Sequence, residues 1–379
     1  MIRFIKGIFH DLSGRIQKMI DDLGERHAES EIKAEFFEKT LQLLHNLNHE
    51  VTIFLASSNM NFEEFSGNNL SKFNKLNERF LAIELYRYQV IVNYGRKEKY
   101  FNALIQRIYL EVQCDQSPPI VSGISNNDSY YWVYPTYDII AVPFGEDKNL
   151  LNLPDLYHEI GHLIHGQYPA FLRGTVDKFV HDYFKEENRN VDLENRDVKN
   201  KGILKDAFEA WRESWTEEFI CDLIGTFLTG PAYAWTNLKI ATISSNTTST
   251  EKGIYSTTSN HPSDESRMYA IFNMLMMMGY NEEINLLRAE WQSFVDISTS
   301  IRSPLYSTLL PREIIDQLVA TVYAACNNIG LLSYDKQLEG DTPPVSKLLN
   351  DAWIENLERP ETFVGWENEV VLDLKGQVS

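Results

Sequence analysis

A chain of 379 residues, 43% of them hydrophobic, is long enough to bury a large core, as one domain or as two or three smaller ones. Its formal net charge of −19 belongs almost entirely to residues 111–379, which argues against nucleic acid or an anionic membrane surface as a partner of that part. Three widely spaced cysteines argue against a disulfide framework and predict a cytoplasmic location. No apolar stretch is long enough to predict a membrane span, and the N-terminus does not resemble a secretory signal.

Residues 1–110 are predicted to form a helical N-terminal region. Apolar residues there recur at intervals of three and four, as in Phe37, Leu41, Leu44, Leu47, Val51 and Phe54. Short apolar runs bounded by Asn, Asp and Pro then predict strands at 120–121, 130–134 and 139–142.

Helical patterns resume after this predicted sheet. They predict a central domain over residues 111–300 and a helical C-terminal region over 301–379 that packs on it. The predicted fold class is therefore α+β, mainly α-helical, with a small β-sheet before the helix that carries the principal motif. A polar, Ser- and Thr-rich run at 244–260 predicts a mobile loop.

The principal motif is His-Glu-Ile-Gly-His at residues 158–162, with apolar residues at helical spacing on both sides. Two histidines four residues apart lie on one face of a helix, so His158 and His162 can both bind one zinc ion. Glu159 then lies beside the ion as a candidate general base. The positions that would hold the Gly and third His of a metzincin are occupied by His165 and Tyr168, which excludes that subgroup.

A second long helix is predicted over residues 207–228, and it contains the segment EFICDLIG at 218–225. This segment resembles the signature of the glutamate zincins, or gluzincins, whose catalytic domain is a zincin fold. By this resemblance Glu218 is the third zinc ligand and Asp222 orients a ligating histidine. The spacing agrees, since residues four apart share a helix face and a zinc-bound imidazole usually donates its other N–H to a carboxylate. Glu217 and Glu213 are the alternatives for the third ligand.

Residues 260–267, NHPSDESR, look like the His-Pro-x4-Arg element of gluzincins of the CAAX prenyl endopeptidase type. The resemblance implies that His261 and Arg267 lie near the cleft, with His261 donating to a developing oxyanion. Alternatively, His261 caps the next helix or stacks on an aromatic ring, and Arg267 forms an ion pair with Asp222 or Glu217. The chain departs from these relatives in lacking their membrane spans and in carrying an apparent insertion near 171–201.

Two tyrosines after the second helix, Tyr233 and Tyr255, are further candidates for the cleft as oxyanion donors. His165, one turn beyond the motif, is expected at the surface.

These residues together predict a zinc-dependent metallopeptidase with a peptide or protein substrate. The alternative is a non-catalytic, zinc-stabilised helical interaction protein, whose structural site would have a fourth protein ligand. The sequence carries no indication of oligomeric state.

Overall fold

The structure is a computed structural model that describes residues 2–26, 32–57, 66–123, 131–143, 145–193, 198–245, 253–298, 300–340 and 342–378. Helices make up most of it. They are α1 (Ile2–Arg26), α2 (Ala34–Ser57), α3 (Ser66–Ile83), α4 (Gln89–Val92), α5 (Arg96–Glu111), α6 (Pro154–Gln167), α7 (Pro169–Arg173), α8 (Val176–Leu193), α9 (Val198–Ala210), α10 (Thr216–Thr229), α11 (Pro231–Ser245), α12 (Asp264–Met278), α13 (Asn281–Ile297), α14 (Tyr306–Leu309), α15 (Arg312–Asn328), α16 (Tyr334–Gln337), α17 (Val345–Glu358) and α18 (Phe363–Val378).

Three short strands precede α6: β1 (Ile120–Ser122), β2 (Trp132–Tyr134) and β3 (Ile139–Ala141). They form a sheet in the order β1-β3-β2, in which β1 is parallel and β2 antiparallel to β3. The predicted fold class, α+β and mainly α-helical with a small sheet before the motif helix, is thereby confirmed. Of the predicted strand 130–134, residue 130 lies outside the described residues.

Two hydrophobic cores organise the chain. Helices α1 to α4 enclose one of them together with Ile120 and Ile139 of the sheet. The second core extends from α5 to α18 and surrounds α6 and α10. Helix α5 therefore packs with the second core, although it lies mostly inside the predicted N-terminal region.

The predicted helix 207–228 consists of three segments. Helix α9 ends at Ala210, a π-helical turn follows at Trp211–Trp215, and α10 begins at Thr216. A π-helical turn changes the rotation of the side chains that follow it, and such turns are frequent at functional sites. The predicted loop at 244–260 begins in the last turn of α11, and residues 246–252 lie outside the described part of the chain.

Helices α6 and α10 are in close contact at Gly161, between the two histidines of the motif. A Cβ atom at this position would lie 2.9 Å from the Cα of Cys221 and 3.2 Å from its carbonyl oxygen. Backbone atoms cannot yield as a flexible side chain can, so a glycine is needed here. The close approach brings the motif of α6 to the face of α10 that carries Glu218 and Asp222.

We expect Gly161→Ala to lower the free energy of unfolding by about 1–3 kcal/mol, the usual cost of overpacking. Gly166→Ala is the matched control in the same helix, because a Cβ there meets nothing within 4 Å. It should be neutral or stabilising by up to about 1 kcal/mol, as alanine is the better helix former. Urea denaturation of both variants measures the difference, and equal effects would contradict the close contact.

None of the helices in the described ranges is both long and apolar enough to cross a membrane.

Candidate metal centre

Three side chains from two helices meet at the surface where α6 and α10 pack. His158, His162 and Glu218 each offer one ligand atom, and these atoms all lie within 4.8 Å of one another. The Nε2 atom of His158 is 3.5 Å from Oε2 of Glu218, and Nε2 of His162 is 3.6 Å from Oε1. Two ligands on one tetrahedral zinc ion, bonded at about 2.0–2.2 Å, lie roughly 3.4 Å apart. The donor set therefore fits a zinc ion.

The other ring nitrogen of each histidine faces a carboxylate. Nδ1 of His158 lies 3.0 Å from Oδ1 of Asp222, and Nδ1 of His162 lies 2.9 Å from Oε1 of Glu217. An ionised carboxylate only accepts hydrogen bonds, so each Nδ1 carries the proton and each Nε2 presents its lone pair. Both imidazoles are thus oriented to bind a metal.

The two neighbouring glutamates of α10 therefore occupy opposite sides of His162. Glu218 faces the Nε2 side, where the ligand atoms converge, whereas Glu217 faces Nδ1. The sequence offered Glu217 as a rival ligand or as an ion-pair partner of Arg267, but gave no prediction of its contact with Nδ1 of His162. The sequence did contain one indication. Two zinc-binding histidines need two hydrogen-bond acceptors, and Asp222 supplies only one of them, so a second carboxylate was to be expected.

Asp222 is fully buried and carries three further hydrogen bonds. Tyr233 donates its hydroxyl to Oδ1 at 2.6 Å, and the Arg267 guanidinium donates to Oδ2 and Oδ1 at 2.7 and 2.6 Å. Burial favours the neutral acid, but Arg267 and His158 outweigh it and lower the pKa of Asp222. Asp222 is therefore ionised and accepts a hydrogen bond from Nδ1 of His158.

Two residues that the sequence proposed for the cleft, Tyr233 and Arg267, are hydrogen-bond donors to Asp222. Tyr233 is 0% exposed, and its hydroxyl lies 3.0 Å from Nδ1 of His158, on the side of the ring away from Glu218. Arg267 forms an ion pair with Asp222, which is one of the two alternatives that the sequence left open. Both residues lie on the Nδ1 side of His158, where they donate hydrogen bonds to the buried Asp222.

We expect Arg267→Gln to lower the free energy of unfolding by about 3–5 kcal/mol, because it leaves a buried carboxylate without its cation. Arg312→Gln is the control. Arg312 forms an ion pair with Glu265, and the Arg312 side chain is 58% exposed. Exposed ion pairs contribute at most about 1 kcal/mol to stability. Urea denaturation with a chelator present measures both effects without a metal contribution; similar losses in the two variants would contradict this assignment.

Glu159 and Glu218 have opposite pKa shifts. Burial raises the pKa of Glu159, whose residue is only 6% exposed. Burial also acts on Glu218, but the neighbouring histidines and Arg267 outweigh it and lower its pKa to about 2. Glu218 therefore suits a permanently ionised ligand, and Glu159 suits a group that exchanges a proton.

His261 lies at the exposed side of the site. Its Nε2 is 3.8 Å from Oε2 of Glu218, and its side chain is 50% exposed. It does not cap the following helix, because Ser263 does so by accepting from the backbone N–H of Ser266. Tyr255 is half-buried and packs its ring edge-on against Tyr306, 5.2 Å away between centroids.

The prediction that His165 lies at the surface is wrong. It is 7% exposed, and its Nδ1 lies 3.6 Å from Oε2 of Glu217. Helix α7, part of the predicted insertion, follows directly and brings Arg173 to His165, where Nε donates to Nε2 at 3.3 Å. The predicted insertion thus covers a residue that would otherwise be exposed at the end of α6.

Comparisons with known proteins found no matching family model, no matching curated protein and no matching solved structure. The resemblance to gluzincins therefore rests on the motifs and the local geometry alone.

Proposed function

We propose that the protein is a zinc-dependent metallopeptidase. The observation that carries this proposal is the convergence of three donors from α6 and α10, His158, His162 and Glu218, on one point. The carboxylates on the Nδ1 side of both histidines support it, because they leave the Nε2 atoms free to bind.

A zinc ion on these ligands would supply a Lewis acid and lower the pKa of a bound water toward about 7. In this proposal Glu159 would accept a proton from the attacking water and deliver it to the leaving amine. Its burial supports this role, since burial raises the pKa of the carboxyl and so makes the carboxylate a stronger base. His261, on the exposed side, is placed to donate a hydrogen bond to the developing oxyanion.

A peptide is the proposed substrate because an edge strand lies beside the motif helix. Strand β2 is at the edge of the sheet, contacts α6, and carries Trp132 with 48% of its surface exposed. An extended peptide can pair with such an edge through main-chain hydrogen bonds. The net charge of −19 favours basic or neutral peptides over acidic ones.

The alternative, a zinc-stabilised interaction protein, is less well supported. A structural zinc site usually has four protein ligands, whereas the group found among the described residues has three. A structural site also has no use for a buried carboxylate beside its ligands, as Glu159 is here.

A cytoplasmic location is part of the proposal and rests on the cysteines. Cys114, Cys221 and Cys326 are unpaired, as in proteins of a reducing compartment.

The decisive experiment measures zinc content and hydrolysis on the same purified protein. We expect about one zinc per chain, cleavage of a mixed peptide library, loss of cleavage on chelation and recovery on addition of zinc. Bound zinc without cleavage of any peptide would overturn the peptidase assignment in favour of the structural alternative. A protein that binds no zinc would overturn both.

A further inference from the structure

His165 and Arg173 form a continuous line of contacts with Glu217 and the proposed ligand His162. We propose that His165 and Arg173 are positioning residues that hold Glu217 against His162 and thereby raise the affinity of the site for zinc. The proposal rests on the proposed metal site but not on the reaction that the site performs.

The chemistry of the donors fixes which atom of His165 faces each neighbour, through a hydrogen bond from Arg173 and a polar contact with Glu217. An arginine only donates, so Nε2 of His165 accepts from Nε of Arg173 at 3.3 Å. The proton of a neutral His165 ring is then on Nδ1, the atom that lies 3.6 Å from Oε2 of Glu217. Without Arg173, the ring could equally carry its proton on Nε2 and turn a lone pair toward the carboxylate.

Glu217 is consequently held through both of its oxygens. Oε2 faces the N–H of His165, and Oε1 accepts from Nδ1 of His162 at 2.9 Å. A carboxylate fixed in this way cannot rotate away from His162, although Glu217 is itself 32% exposed in its side chain. The Nε2 lone pair of His162 therefore stays directed at the side occupied by Glu218.

Arg173 is in turn anchored by the protein around it. Its Nη1 donates to Asp177 at 3.0 Å and to the backbone carbonyl of Arg212 at 3.4 Å. The next residue, Gly174, has φ of +51°, and a Cβ there would lie 2.8 Å from Cγ2 of Thr321 in α15. Helix α7 is thus seated on α15, and the predicted insertion contributes to the surroundings of the metal site.

The two histidines are therefore supported differently. His158 depends on Asp222, which is fully buried and bound directly by Arg267. His162 depends on a partly exposed glutamate, which needs a second histidine and an arginine to hold it. The part-buried contact of Arg173 with His165, a residue outside the ligand set, supplies this second support.

The test is a double-mutant cycle read out as zinc affinity, measured by competition with a chromophoric chelator. We expect Glu217→Gln to weaken zinc binding by about 10–100-fold, the usual cost of losing such a hydrogen-bond partner, and Arg173→Gln by about 10-fold. In the Glu217→Gln background, Arg173→Gln should cause no further loss, because it acts only through Glu217. His165→Phe keeps a ring but removes the N–H. It should also weaken zinc binding in the wild-type background and cause no further loss in the Glu217→Gln background.

Arg189→Gln is the matched control, because Arg189 also belongs to the predicted insertion but pairs with the exposed Glu186. It should leave zinc affinity unchanged. The proposal is overturned if Arg173→Gln weakens binding equally with and without Glu217, or if neither Arg173→Gln nor His165→Phe has an effect. The readout is zinc binding and not hydrolysis. If Arg173 and Glu217 were coupled in zinc affinity but no peptide were cleaved, this inference would be supported and the peptidase assignment overturned.

Discussion

The Glu159→Gln variant is expected to bind zinc like the wild type and to hydrolyse peptides about 10²–10⁴-fold more slowly. A glutamine keeps the size and the hydrogen-bonding shape of the side chain but cannot accept the proton of the attacking water, and general base catalysis contributes rate factors of this order. Zinc content and kcat/KM for a peptide identified from the library digest should be measured on the same sample. The folded structure should be unaffected, because Glu159 contributes no metal ligand.

Glu213→Gln provides the matched control, as an identical chemical change at an exposed position in the π-helical turn before α10. It should match the wild type in both zinc content and kcat/KM. If Glu159→Gln retained wild-type turnover, Glu159 would not be the base, and the proposed mechanism would be wrong. A loss of zinc together with turnover would instead show that Glu159 contributes to holding the metal.

Glu218→Gln is expected to weaken zinc binding by more than about 100-fold, beyond the range for loss of an outer hydrogen-bond partner. Glu218 is the carboxylate whose oxygens lie 3.5 and 3.6 Å from the two Nε2 atoms. The change removes the negative charge from the ligand set and replaces a good zinc ligand with a poor one. Peptide hydrolysis should be lost in parallel, and added zinc should restore part of it.

The neighbouring Glu217→Gln makes this a comparison between adjacent residues of one helix. Glu217 contacts Nδ1 of His162, so its loss should weaken binding less than the loss of Glu218. The reverse order would identify Glu217 as the ligand and would contradict the geometry of the site. Competition with a chromophoric chelator resolves both affinities on one scale.

Much of the architecture could be predicted from periodicity and turn residues. The strands near 120, 132 and 139 and the helices that begin at 154 and 264 lie where alternation, helical spacing and polar breaks predict them. Packing between elements could not be predicted in this way. Two features depend on which surfaces pack together: the place of α5 in the second core and the π-helical turn before α10. Local sequence periodicity does not show which surfaces meet.

The site shows the same division at the level of single residues. The ligand positions 158 and 162 could be proposed because residue spacing on a helix fixes which side chains share a face. Position 218 could be proposed from the resemblance to the gluzincin signature. The contacts of Glu217 and His165 could not, because each depends on segments that are distant along the chain. The ion pair of Arg267 with Asp222 could be offered only as one alternative. His165 is the clearest case: one turn of helix beyond the motif predicts exposure, and only the packing of α7 buries it.

The sequence by itself predicted that two imidazoles and a glutamate lie within about one turn of one helix, and an acidic pair on a second helix. Tertiary structure alone decided which ring nitrogen faces which carboxylate, because that choice follows from the close contact of α6 with α10 at Gly161. Local spacing is fixed by the 3.6-residue turn of the helix, whereas ring orientation is fixed by partners that only the folded chain brings together.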